Sequence, residues 1–167
     1  MKIYYVTNKK INNSSGSQVR TYNLIKVLQK YYPVQPLYLG DYKKPHSLVK
    51  KIFELLKANV PYVAELKDTK LPSSIKFANE DIVIFSELES YIMFSNYKHL
   101  LPKVTFLDAH NVDYLRVQME MKHKGVLGSV FTTFVTNKVK KEEIEALKYV
   151  NGVLCCSEED KGVFEKL

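Results

Sequence analysis

Short apolar runs rich in β-branched and aromatic residues recur along the chain, separated by polar turns and by apolar positions at helical spacing. Ile3 to Val6 reads as a buried strand. The polar loop Asn8 to Ser17 follows, then a helix carrying Val19, Tyr22, Leu24, Ile25, Val27 and Leu28, with Ser17 as its N-cap. Pro33 ends that helix and Val34 to Leu39 makes a second strand. Beyond Gly40, Asp41 and Pro45, Ser47 is another N-cap candidate. Leu48, Val49, Ile52, Phe53, Leu55, Leu56 and Val60 then form one apolar stripe against Lys50, Lys51, Glu54 and Lys57. A basic amphipathic helix of this kind covers a sheet face or lies on a membrane.

Pro61 to Asn79 has poor periodicity, and a third strand, Ile82 to Phe85, precedes a helix in which Tyr91 to Tyr97 lies. Val104 to Leu107 is the fourth strand. Tyr114 to His123 and Ser129 to Val150 read as helices, and Gly152 to Cys156 is the fifth strand, closed by the acidic start of a last helix. Strands alternating with helices predict a single α/β domain over residues 1–167, a Rossmann-like doubly wound parallel sheet with right-handed crossovers.

In such a sheet, ligands collect beyond the carboxyl ends of the strands, which singles out Thr105 to Asp113, where an apolar run stops at Asp108, His110 and Asn111. An imidazole there can donate or accept near neutral pH and steady developing charge, or serve only the structure. Asp113 either accepts a hydrogen bond from a ligand hydroxyl or from His110, or caps the helix that begins at Tyr114. Asn12 to Ser17, with Gly16 and with Arg20 one turn into the first helix, offers free backbone amides that suit a phosphate or a sugar hydroxyl. A plain Asn/Ser loop with a helix cap accounts for the same residues. Ser157, followed by Glu158, Glu159 and Asp160, has the pattern of a helix cap with acids complementing the dipole.

Composition narrows the function classes. Hydrophobic residues at 46% and charged residues at 26% are ordinary globular values, against disorder or a fibrous repeat. The net charge of +7 favours phosphate-bearing partners, yet the lysines are scattered and no nucleic-acid-binding signature accompanies them. Nucleic acid is therefore not expected as a partner. Cys155 and Cys156 are neighbours in an apolar run, without metal-ligand or disulfide-framework spacing, so no metal site is expected. No leader pattern follows Met1 and no apolar run reaches about 18 residues, so the chain is expected to be cytoplasmic.

Three segments together, MKIYYVTNKKINNSSGSQVRTYNLIKVLQK, VTFLDAHNVDYLR and EEIEALKYVNGVLCCSEED, resemble the N-terminal half of group 1 (family 4) GT-B glycosyltransferases, in the family's order. The resemblance covers nearly the whole chain. It implies the acceptor-side domain of a retaining hexosyltransferase-type enzyme that uses a nucleotide-sugar donor, without a further cofactor, and a saccharide or lipid-linked acceptor. The donor-binding second domain has no counterpart in these residues, so a natural half that works as a binding subunit of a split transferase is the alternative. A flavodoxin-like nucleotide or signalling domain is a third reading of the same fold.

By the resemblance, His110 lies beside the donor sugar as the catalytic position. Gly16 and Arg20 match the family's Gly and Arg beside the diphosphate or acceptor, with Ser17, Asn111, Asp113 and Ser157 as further substrate-binding positions. The family's glycine-rich loop often has two or three glycines where this chain has one, and many relatives have Glu at the position of Asp113. Residues 125–137 carry no charge and are flanked by Lys122, His123, Lys124 and Lys138. Relatives acting on lipid-linked acceptors keep such a segment to meet the inner face of the membrane; buried helix packing explains it equally.

Overall fold

The computed structural model describes residues 1–11, 15–40, 61–71, 75–121 and 125–167, with the side chains of 61, 62 and 125–129 left out. Five strands form one sheet: β1 (Ile3–Thr7), β2 (Val34–Tyr38), β3 (Ile82–Ser86), β4 (Val104–Asp108) and β5 (Gly152–Leu154). All neighbours pair in parallel, in the order β2-β1-β3-β4-β5. The helices are α1 (Gly16–Leu28), α2 (Pro61–Lys67), α3 (Glu87–Phe94), α4 (Asp113–Met121), α5 (Gly125–Leu147) and α6 (Glu158–Phe164), with a 3-10 turn at Ser95–Leu100.

Alternation along the strands divides the interior into two layers. Ile3, Tyr5 and Ile84 face α1 and pack with Ile25, with Ile82, Phe106 and Leu154 joining them. Val6, Val83, Phe85 and Leu107 face the other way, against Leu66 of α2, Tyr91 and Phe94 of α3, Val135 and Val139 of α5, and Phe164 of α6. Helices thus cover both faces of a parallel sheet, a Rossmann-like doubly wound α/β fold.

Several elements differ from the sequence expectation. The first helix begins at Gly16 with Ser15, not Ser17, in the N-cap position. Pro61–Lys67 is helical where no element is expected, and Val63 and Leu66 bury its inner side. Tyr91 to Phe94 lie in a helix as expected, one that starts at Glu87 directly after β3, whereas Ser95 to Tyr97 belong to the 3-10 turn. The fifth strand stops at Leu154, two residues early. The stripe of Leu48 to Val60, its cap Ser47 and the loop residues Asn12 to Ser14 lie outside the described residues.

Candidate functional site

The strand order reverses at β1 and β3: from β1 the chain crosses outward to β2, then returns past β1 to β3. In doubly wound sheets of this order the crevice at the carboxyl ends of those two strands is where ligands sit. The residues there are Thr7, Asn8 and Lys9 after β1, Ser86 and Glu87 after β3, and Asp108 to His110 after β4. Register aligns them, because Ser86 pairs with Asp108 across β3 and β4.

Pleating turns Asp108 to the same side as Phe106, towards α1, and its side chain is fully buried. A buried carboxylate needs compensation, and Asp108 has three donors. Arg20 places Nε at 3.0 Å and Nη2 at 2.6 Å from Oδ1. Tyr5 donates its hydroxyl to Oδ2, and His110 Nε2 lies 3.3 Å from the same oxygen. Burial pushes the Asp108 carboxyl up, but hydrogen bonds from His110, Arg20 and Tyr5 outweigh it and hold the group below the ordinary range. The Tyr5 phenol is pushed well above its usual value by burial and by the adjacent carboxylate.

His110 bridges two acids. Its Nδ1 lies 2.9 Å from Glu87 Oε1, an ion-pair contact whose angle falls short of a well-aligned hydrogen bond. Its side chain is 6% exposed. Burial lowers its pKa, yet Asp108 and Glu87 together raise it to about 9, so the ring is an imidazolium at neutral pH. Nε2 is turned to Asp108 Oδ2, while Nδ1 lies buried against Glu87 Oε1 without a hydrogen bond. As a fixed cation it cannot accept a proton; it can hold the two acids and their strands in place.

Glu87 was not singled out by the sequence, and it is the second anchor. Among the described residues it is the one non-glycine with positive φ, at 64°. That left-handed turn lets β3 pass into α3 without a loop, at a steric cost of about 1–2 kcal/mol. Its carboxylate also pairs with Lys9. Burial pushes Glu87 up, but His110 and Lys9 bring it down to about 2. The sequence signal was Ser86-Glu87 with Glu89 at the head of a helix, where acids complement the dipole.

The other expected positions divide. Ser17 lines a small pocket of about 10 Å³, room for about one water, with Thr7, Lys9, Thr21, Ser86 and Glu87. Gly16 opens the first helix, and a Cβ there would meet nothing, so the backbone at this position does not itself demand glycine. Asn111 is exposed in the corner after β4. Asp113 is the first residue of α4 rather than its cap, and its Oδ1 accepts from Arg116 Nε and Nη2 at 3.1 and 2.8 Å. The capping acceptor is Glu143 of α5, which takes the backbone N–H groups of Asp113 and Tyr114 at 2.7 and 3.1 Å.

Ser157 caps α6, accepting from the Asp160 N–H at 3.0 Å and donating to Asp160 Oδ2 at 2.9 Å. It also lines a cavity of about 610 Å³ beside β5, with Val153, Cys155, Cys156, Lys161 and Phe164. Both cysteines are free thiols. Cys156 reaches the Ala109 carbonyl at 3.7 Å, so this cavity borders the His110 corner.

Among the described residues no helix is long and apolar enough to cross a membrane, and no group of three or more His, Cys, Asp or Glu side chains is placed to hold a metal ion. On α5, Val130 and Phe131 are exposed, whereas Val135 and Val139 are buried. Comparison of the chain with protein-family models, curated proteins and solved structures found no match.

Proposed function

We propose that this chain is the acceptor-side domain of a retaining GT-B glycosyltransferase, completed by a donor-binding domain. The observation that carries the reading is the convergence of α1, β1, β3 and β4 on one rim through Arg20, Asp108, His110, Glu87 and Lys9. That rim lies at the strand-order reversal, where open α/β sheets receive ligands. In this reading the rim that carries Lys9, Ser17 and Glu87 meets the acceptor, with Arg20, Asn111 and Asp113 near it and Gly16 at the head of the first helix. His110 is a positioning residue that sets Asp108 and Glu87. The nucleotide-sugar is gripped mainly by the partner domain, which supplies most stabilisation of the departing diphosphate.

A cytoplasmic setting, with α5 touching the inner face of the membrane through residues 125–137, fits a lipid-linked acceptor. Exposure of Val130 and Phe131 supports that contact. A free-standing binding subunit is the second reading. It is favoured by the engagement of His110 with two carboxylates, which suits holding better than proton transfer.

The test is an amide-resonance titration of the chain with a panel of saccharides and of uridine- and guanosine-diphosphate sugars. The reading expects saccharide-induced shifts at 8–11, 15–20 and 109–113, and no sugar transfer by the chain alone. Shifts confined elsewhere would overturn the site, and tight nucleotide-sugar binding with transfer would overturn the division of labour.

A further inference from the structure

The first turn of α4 has no cap of its own. The amides of Leu115 and Arg116 turn back to the Val112 carbonyl, both at 3.1 Å. Those of Asp113 and Tyr114 need another acceptor, and Val112, the residue before the helix, has none in its side chain. Glu143 takes both, one on each carboxylate oxygen, at 2.7 and 3.1 Å. It does so from α5, and it is 1% exposed. A carboxylate in that place also answers the positive end of the helix dipole.

A buried glutamate is costly, and a Ser or Asp at the residue before the helix would serve α4 alone at lower cost. What the distant cap adds is a fixed relation between α5 and the corner that precedes α4. That corner is Ala109 to Val112, between β4 and α4. Its entrance is held by the Ala109 amide, which donates to the Leu154 carbonyl at 3.0 Å, and by His110 between Asp108 and Glu87. Its exit is held by Val112, buried in the core, and by Glu143 at the next two amides. Lys140, one turn earlier on α5, lies over the Tyr114 ring, 5.0 Å from its centre, so α5 grips Tyr114 twice. Asn111 is the exposed residue of the corner. Two residues separate it from Asp113, a span of at most about 7 Å, so a tilt of the first turn is passed on with little slack.

We propose that Glu143 is a positioning residue for the candidate site: from α5 it sets the corner that presents His110 and Asn111, and so sets how tightly the rim binds its ligand. That the ligand is a saccharide rests on the function proposed above; the hold on the corner does not.

Glu143→Gln keeps the volume, removes the charge and turns a donor towards one of the two backbone donors. Val139→Ala is the comparison: it opens a cavity one turn away on α5 and leaves both Glu143 bonds in place. Hydrogen exchange at pH 7 reads the hold on the corner. Relative to the amides of β3, those of Asp113 and Tyr114 should exchange at least about tenfold faster in Glu143→Gln than in wild type, and no faster in Val139→Ala. An amide-resonance titration with the saccharide panel reads the rim. Binding seen at 109–113 should weaken about tenfold in Glu143→Gln and stay unchanged in Val139→Ala, as when the outer partner of a binding group is removed.

Glu143→Asp, which keeps the charge on a shorter arm, should fall between wild type and Glu143→Gln, and it carries the test if the first variant does not fold. Unchanged exchange at the two amides, an equal effect of Val139→Ala, or loosened amides with unaltered binding would overturn the proposal. Wild-type resonances that no saccharide moves would sink the acceptor reading instead, and the exchange comparison would still decide whether Glu143 holds the corner.

Discussion

Arg20 and Asp108, 88 residues apart in the chain, meet at 2.6 Å and tie the first helix to the end of the fourth strand. The carboxylate is fully buried while the Arg20 side chain is 31% exposed, so the pair spans the boundary between core and rim.

Removing Arg20 leaves a buried charge with two remaining donors. Arg20→Ala should lower stability by about 3 kcal/mol, near the lower end for stripping one partner from a buried pair. Arg20→Lys should recover only part of the loss, because an ammonium cannot reproduce the fork of Nε and Nη2 on one oxygen. Urea unfolding midpoints at pH 7 check both. Equal stability of wild type and Arg20→Ala would mean that Tyr5 and His110 suffice.

Stability should depend on pH through His110 with a definite sign. Its folded pKa is raised to about 9 from 6.5, so its contribution is complete below about 6.5 and is lost as pH rises through about 9. The stability difference between wild type and His110→Gln should shrink by about 3 kcal/mol across that interval. Glu87 works at the other end: its pKa, lowered to about 2 from 4.5, makes its contribution fade as pH falls between those values. Equilibrium unfolding from pH 2 to 10 measures both limbs.

The left-handed backbone at Glu87 reverses an ordinary preference. In helices alanine is better than glycine by about 1 kcal/mol. At φ 64° glycine escapes the steric penalty that alanine keeps. Glu87→Gly should therefore be more stable than Glu87→Ala by about 1 kcal/mol, although both lose the contacts to Lys9 and His110. Thermal unfolding of the two variants under one set of conditions gives the order; the usual order would place Glu87 in a relaxed backbone.

Ser157→Ala should cost about 1 kcal/mol through loss of the bond from the Asp160 amide at the head of α6. Ser157→Asp, which keeps a capping acceptor, should restore most of it. Calorimetry on the pair distinguishes the cap from a role confined to ligand binding, for which stability would not move.

The fold was legible because parallel strands buried on both faces read as short apolar runs, as at Ile3 to Val6 and Ile82 to Phe85. Where β3 passes into α3 it was not, since Glu87 takes a conformation that its residue type does not advertise. Arg20, His110 and Asp113 stood out by type and place, but their partners are tertiary. Glu143 caps α4 from 30 residues away, and no local pattern announces it. Glu87 reaches His110 only because β3 and β4 pair in register. The partners refine the roles accordingly: His110 stands between Asp108 and Glu87, and the expected cap Asp113 is itself the capped residue.

The most direct measurement is an NMR titration of the His110 ring nitrogens. Held between Asp108 and Glu87, His110 should carry a proton on both nitrogens at pH 7 and titrate near 9. A midpoint at or below about 6.5, with a neutral ring at pH 7, would contradict the clamp on which the candidate site is built.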